Sequence, residues 1–223
     1  MKYAILSDVH GHVAKLKAVL ADAQARGVEQ IVSLGDVGGP ACLDLLRDGG
    51  AIAVFGNYEV SGWSRLEPEH RSWVRGWPPL VARDSYVAVH AAPFWPEGLL
   101  TIEDFGRWIK RTGRSWRSLF PYITEEQGYV WKALVELEAM DKAVLFHGHT
   151  HRQTIWCWAK SGRLEPVPGS AIQLEAGHRY VIGVGSVGLP DDGGWATYAF
   201  YDANARRIEL VRLDPRSVPG DDV

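Results

Sequence analysis

Residues 2–39, KYAILSDVHGHVAKLKAVLADAQARGVEQIVSLGDVGG, decide the fold. The apolar run over 3–7 reads as a buried strand. Val13, Leu16, Val19, Leu20 and Ala23 then recur at helical spacing over 13–26, and Gly27 follows as a C-cap. A second apolar run over 31–34 enters Gly35-Asp36. Beyond it, 43–46 reads as a short helix stopped by Gly49-Gly50, and 51–55 as a third strand. Strand, helix, strand, helix, strand makes two βαβ units and therefore a parallel sheet. In such sheets the loops at the carboxyl ends of the strands form the binding crevice. Asp8, Asp36 and Asn57 all stand at that position.

The later chain changes character. Residues 61–79 look helical, ending at Pro78-Pro79, and 80–91 read as a hairpin turning at Asp84-Ser85, whose second arm delivers His90. Residues 94–123 break the pattern with Trp, Pro, Gly and a basic cluster, and are expected to form an inserted cap or long lid loop. Residues 125–140 read as a helix and 142–146 as a strand leading into His147-Gly148-His149-Thr150-His151. Short strands follow over 154–158, 163–167, 171–174, 179–184, 195–201 and 206–212, then a loose tail over 215–223. There is no internal repeat and no dividing linker, so 1–223 is expected to be a single domain.

Bulk properties exclude several classes. Of the 223 residues, 46% are hydrophobic and 23% charged, ordinary for a globular protein. A net charge of -3 gives no footprint for coating nucleic acid. Cys42 and Cys157 match no zinc or disulfide pattern and read as buried apolar side chains. Asp8 arrives before a signal-peptide apolar core could form, and no apolar stretch is long enough to span a membrane, so a cytoplasmic protein is expected. The unusual count is tryptophan, ten in all.

The chemistry lies in the strand ends. Asp8-Val9-His10, Gly35-Asp36, Gly56-Asn57, His90 and His149-Thr150-His151 offer carboxylate, amide and imidazole donors. That mixture suits divalent ions such as Mn²⁺, Fe²⁺ or Zn²⁺. Asp8 and His10 can both swing toward one ion where the strand turns into Gly11. Asp36, on a tight glycine turn, could bridge two ions about 3.5–4 Å apart. The bland alternative makes Asp8 and Asp36 helix caps and the histidines ordinary loop residues. It leaves unexplained why every motif follows an apolar strand, and why three of the eight histidines fall within 147–151.

These motifs resemble those of the calcineurin-like metallophosphoesterases. That family's pattern is D-x-H, G-D-x-x-x-x-G, G-N-H-[DE], a strand-end His and G-H-x-H. Here it is matched in order by Asp8-Val-His10, Gly35-Asp36-Val-Gly-Gly, Gly56-Asn57-Tyr58-Glu59, His90 and Gly148-His149-Thr-His151. The segment from Gly185 to Pro190 resembles a glycine-serine stretch of many bacterial members. The resemblance implies an α/β fold, a four-layer α-β-β-α sandwich of two mixed sheets. It also implies one metal held by Asp8, His10, Asp36 and His151, and a second by Asp36, Asn57, His90 and His149. Mn²⁺ is the first choice, with Fe²⁺, Zn²⁺, Ni²⁺ or Mg²⁺ as alternatives. The two ions would polarise a phosphoryl group and activate a bridging water.

One position departs from the pattern. The histidine that the family uses to protonate the leaving group is Tyr58 here. Tyrosines titrate near pH 10, roughly, and donate poorly at neutrality. General-acid help is worth about 10²–10⁴-fold, so good leaving groups should be favoured. His12 could substitute as donor or bind a phosphate oxygen; equally, it could be an exposed histidine at a helix start. Within 94–123, Arg107, Lys110, Arg111, Arg114 and Arg117 alternate with Trp108 and Trp116. Arg107, Arg111, Arg114 and Arg117 could hold the phosphates of a nucleotide while a tryptophan stacks its base. The same spacing also fits an amphipathic helix with arginines in water and tryptophans in the core. Gly183-Val-Gly185-Ser-Val-Gly188 matches the dinucleotide-binding glycine pattern literally, but a turn follows where that fingerprint needs a helix. The expected function is a phosphodiesterase or nucleotide phosphoanhydride hydrolase acting on a small phosphorylated substrate. The alternatives are a phosphomonoesterase, including a protein phosphatase, and a non-catalytic metal-binding scaffold.

Overall fold

The structure is a computed structural model that describes residues 1–123 and 127–215, apart from the side chain of Gln127. The expected helix start at 125 and the tail over 216–223 lie outside the described residues. The chain begins β1 (Lys2–Leu6), α1 (Val13–Ala25), β2 (Gln30–Ser33), α2 (Pro40–Asp48), β3 (Ile52–Ala53), α3 (Asn57–Gly62) and α4 (Pro68–Arg75). It continues with β4 (Leu80–Ala82), β5 (Val87–Val89), α5 (Ile102–Thr112), α6 (Gln127–Ala139), β6 (Val144–His147), β7 (Gln153–Trp158) and β8 (Leu164–Pro166). The last strands are β9 (Ala171–Gln173), β10 (Arg179–Val184), β11 (Ala196–Asp202) and β12 (Arg207–Leu213).

Two six-stranded sheets form, in the orders β3-β2-β1-β11-β12-β9 and β4-β5-β6-β10-β7-β8. Both are mixed. β1, β2 and β3 run parallel, as do β5, β6 and β10, and the remaining pairs are antiparallel. Side chains alternate across each strand, and this alternation builds the layers. Tyr3 and Ile5 of β1 face the second sheet, where they meet Tyr86, Phe146 and Ile182. Ala4 and Leu6 face the other way, onto Leu16, Val19, Leu43 and Leu46 of α1 and α2. In the second sheet Leu145 and Val181 point outward onto Val130, Leu134 and Leu137 of α6. Strands buried on both faces carry continuous apolar runs, which is why β1 and β6 show no polar alternation. Helix, sheet, sheet and helix make the four layers.

One segment differs from expectation. Residues 61–79 do not form one helix. They divide into the end of α3, a 3-10 turn over Trp63–Arg65, and α4. Pro68 causes the break, because proline drives its predecessor out of the helical region, and Glu67 accordingly sits at ψ 150°. Residues 94–123, read from the sequence as an inserted cap or long lid loop, hold a regular helix. This is α5, whose Thr101 and Asp104 form a reciprocal capping box. Ile102, Phe105 and Trp108, three residues apart, bury one face of α5 in the core beside Phe55 and Leu119. The box and the three-residue spacing were both present in the sequence, hidden among glycines and prolines.

Candidate metal centre

The ends of β1, β2, β5 and β6 converge, held within the second sheet by backbone and between the sheets by side chains that bond backbone groups. Gly148 N–H donates to the His90 carbonyl at 2.8 Å, and His90 Nδ1 donates to the Leu34 carbonyl at 2.8 Å. Asp8 Oδ2 accepts from His149 N–H at 2.8 Å. Such closeness requires glycine. A Cβ on Gly148 would overlap the Ser7 hydroxyl and approach Asp8 Oδ2 to 2.7 Å, and one on Gly56 would strike Asp36 Oδ1. The segment after β10 closes the far side. Ser186 Oγ donates to the Asp8 carbonyl at 2.8 Å, and Gly188 N–H does the same at 3.0 Å. The glycine-serine stretch thus serves backbone approach, with no helix for a dinucleotide.

Two clusters result. Asp8, His10 and His151 form one, and Asp36, His90 and His149 the other; within each, one ligand atom per residue lies within 4.8 Å of the rest. In the first, His151 Nε2 is 3.2 Å from both Asp8 Oδ1 and His10 Nε2. In the second, His90 Nε2 is 3.1 Å from both Asn57 Oδ1 and His149 Nδ1, and 3.6 Å from Asp36 Oδ1. The outer nitrogens are anchored: His90 Nδ1 on Leu34, His151 Nδ1 on the Leu189 carbonyl at 2.8 Å. Anchoring one nitrogen leaves the other to face the cluster, the usual arrangement behind metal-ligating imidazoles. Backbone strain marks the same residues. Asp8, His10, Asp36, His149 and His151 have φ between 49° and 64°, the left-handed region, which costs non-glycine residues about 1–3 kcal/mol each.

Glu59, to which sequence reasoning gave no role, holds two of the loops. It is buried, and its carboxylate accepts from the N–H groups of Asp36 at 2.8 Å, Val37 at 2.9 Å and Gly56 at 2.7 Å. The acidic residue closing the third motif was its only signal. Tyr122 was also missed. Its ring stacks on His149 at 4.4 Å, while Trp116 meets the same imidazole edge-on at 5.5 Å.

The electrostatics call for cations. Asp8, Asp36 and Glu59 are three buried carboxylates, and the ion-pair partners of Asp8 and Asp36 are histidines. Burial, then the charges of Glu59 and Asp8, push the Asp36 carboxyl well above its usual range. Burial alone would raise Asp8 too, but the His10 and His151 imidazoles hold it well below. Burial, then the neighbouring His90, push His149 down to about 3. Divalent cations bind imidazoles in the neutral form and carboxylates in the ionised form, and would offset the crowding of these buried carboxylates. The donor set therefore fits two divalent ions.

The remaining expected site residues are dispersed. Tyr58 stands at the rim, 53% exposed, its ring 4.7 Å from that of His10 and its N–H donating to Asp36 Oδ1 at 2.8 Å. His12 precedes α1 and is lowered from its ordinary value by burial, Lys15 and His10. Trp108 lies in the core with the Arg114 guanidinium over its ring. Arg107 pairs with Asp104, Arg111 is exposed, and Arg117 lies over Trp116.

The sequence model of the calcineurin-like phosphoesterase superfamily domain matches residues 1–206. The chain belongs to that family. This calcineurin-like phosphoesterase is 27% identical over 227 residues to the uncharacterised protein MJ0912 of Methanocaldococcus jannaschii, across 95% of this chain and 86% of the relative. The solved structure of a metallophosphoesterase from Sphaerobacter thermophilus is 26% identical with a TM-score of 0.70, covering 96% of this chain and 89% of that one. An archaeal phosphodiesterase is 16% identical with a TM-score of 0.53, over 96% and 100% of the two chains, a likeness of fold alone. The family is one of phosphoric ester hydrolases that use divalent metal ions. Among the described residues, no helix is long and apolar enough to cross a membrane.

His147 gives a test of the metal-free state. Burial pushes its imidazole from 6.5 down to about 4, and its Nε2 has no hydrogen-bond partner among the described residues. The unfolded chain binds that proton first, so the contribution of His147 to stability is complete above about pH 6.5 and is lost as pH falls toward 4. In chelator-treated protein, Tm should fall less steeply across that window in His147→Gln than in wild type. Equal slopes would contradict the assignment.

Proposed function

We propose that this phosphoesterase hydrolyses phosphodiester or nucleotide phosphoanhydride bonds with two divalent ions, Mn²⁺ preferred. The observation that carries this reading is the pair of adjacent His/Asp clusters whose ligand atoms converge from four strand ends. Asp8, His10, Asp36 and His151 would hold one ion, and Asp36, Asn57, His90 and His149 the other. When bound, such ions supply Lewis acidity to a phosphoryl oxygen and lower the pKa of water.

The chain's own residues prepare that chemistry. Leu34 and Leu189 carbonyls orient two imidazoles, His149 N–H and Tyr58 N–H each fix one carboxylate oxygen, and Glu59 locks the turns beneath. Preset donors cost no reorganisation when charge develops. Arg117, tied to the centre through Trp116 and His149, is the cap arginine best supported for holding a non-reacting phosphate. Tyr58 supports a preference for activated diesters and anhydrides over alkyl monoesters, since aryl and phosphate leaving groups depart with less proton help. An enzyme for alkyl monoesters would need that help more.

The test is a metal-by-substrate screen of purified protein with elemental analysis. Two ions per chain and turnover of a chromogenic diester are expected. Reconstituted protein that holds no divalent ion ends the proposal, and metal without turnover points to a binding scaffold. In Tyr58→His, turnover of poor-leaving-group esters should rise relative to good ones by up to about 10²-fold. An unchanged ratio would assign the proton to another donor, with His12 the first to examine.

A further inference from the structure

A cavity of about 130 Å³ lies directly beside the metal centre, between the Asp36 turn and α3. Gly38, Gly39 and Tyr58 form its rim, and Leu43, Trp63, Leu66 and Val74 its walls. Tyr58 belongs to both places. Its ring borders the cavity, while its N–H holds Asp36 and its edge meets His10. The charged wall residue, Glu59, keeps its carboxylate on the N–H groups of Asp36, Val37 and Gly56, so its charge is already engaged.

We propose that this cavity receives a flat apolar ring, about the size of one phenyl group, carried by the phosphoester substrate. The inference rests on the hydrolase reading and narrows its substrate class to esters of aryl or comparably apolar alcohols. Size supports it, because an apolar protein cavity of about 150 Å³ accommodates benzene. Chemistry supports it too. A sugar or a second phosphate placed against Leu43, Leu66 and Val74 would lose water without gaining partners. Contiguity supplies the third reason, since the lining residues Tyr58 and Gly38 stand one and two positions after the donors Asn57 and Asp36. Gly62 completes the wall, and a Cβ there meets nothing within 4 Å. Its φ of -125° lets other residues take its place without strain.

Two readouts test the proposal. The first is fluorine NMR of para-fluorophenol with the full chain, which needs no turnover. Wild type should broaden the signal, and Gly62→Val, which adds bulk at the cavity wall, should broaden it less. The second is kcat/KM for a phenyl against a methyl phosphodiester, with intrinsic leaving ability cancelling between variants. The phenyl-to-methyl ratio should fall about ten- to a hundredfold in Gly62→Val, the range for losing burial of one ring. Leu66→Ala, which enlarges the cavity, should shift preference toward a naphthyl ester. Fluorophenol that is not bound, or is bound equally by Gly62→Val, overturns the proposal. Fluorophenol binding with no turnover of any phosphoester supports the ring pocket and rejects the hydrolase reading.

Discussion

Asp36→Ala is expected to lower kcat/KM by about a thousandfold or more, and by more than His10→Ala. The magnitude follows from the several kcal/mol that metal polarisation supplies, at about 1.4 kcal/mol per tenfold. The difference follows from position. Asp36 lies with His90 and His149 and also feels the charge of Asp8, whereas His10 touches the first cluster alone. Folding should not suffer. In chelated protein Asp36 is held above its usual pKa by burial, Glu59 and Asp8, so its ionisation above that range opposes the folded state. Asp36→Asn keeps the acceptor for Tyr58 N–H and removes the charge, so chelated Asp36→Asn should melt higher than chelated wild type at pH 7. Near-normal turnover by Asp36→Ala would refute its role as a shared ligand.

Glu59→Ala is expected to damage stability and metal retention together. Three N–H groups lose their acceptor at once, and orphaned buried donors cost about 1–3 kcal/mol each before water or relaxation recovers part of it. A net loss of about 3 kcal/mol would lower Tm by roughly 6–12 °C in a chain of this size. Because those N–H groups belong to the Asp36 turn and to Gly56, just before Asn57, metal affinity should fall even where the protein still folds. Glu59→Gln keeps one acceptor oxygen and should lie between. A Tm within about 2 °C of wild type, with unchanged metal content, would show that the turns hold without Glu59.

The donors of this site were legible because each is announced locally. An apolar run, then Asp, Asn or His, in most cases with glycine close by, marks a strand end, and the order of elements puts β1, β2 and β3 in one parallel sheet. The capping box of α5 was equally local but was obscured by Pro96, Gly98 and the surrounding tryptophans. Pro68, which divides 61–79, is a local signal as well and acts on the residue before it. Signals of this kind extend over a few residues, as do the steric and hydrogen-bonding effects that produce them.

Other features depend on closure of the two sheets. Asp8 accepts from His149 N–H across 141 residues of chain, and Ser186 reaches the Asp8 carbonyl across 178. The division of donors into two clusters follows from that closure, whereas the stacking of Tyr122 on His149 and the cavity beside Tyr58 follow from how helices and connecting segments pack against the sheets. Sequence by itself determined which atoms are offered and at which end of which strand. Tertiary structure decided which of them meet, because distance between loops is set by how buried faces such as Tyr3, Ile5, Phe146 and Ile182 pack, and no local pattern encodes that separation.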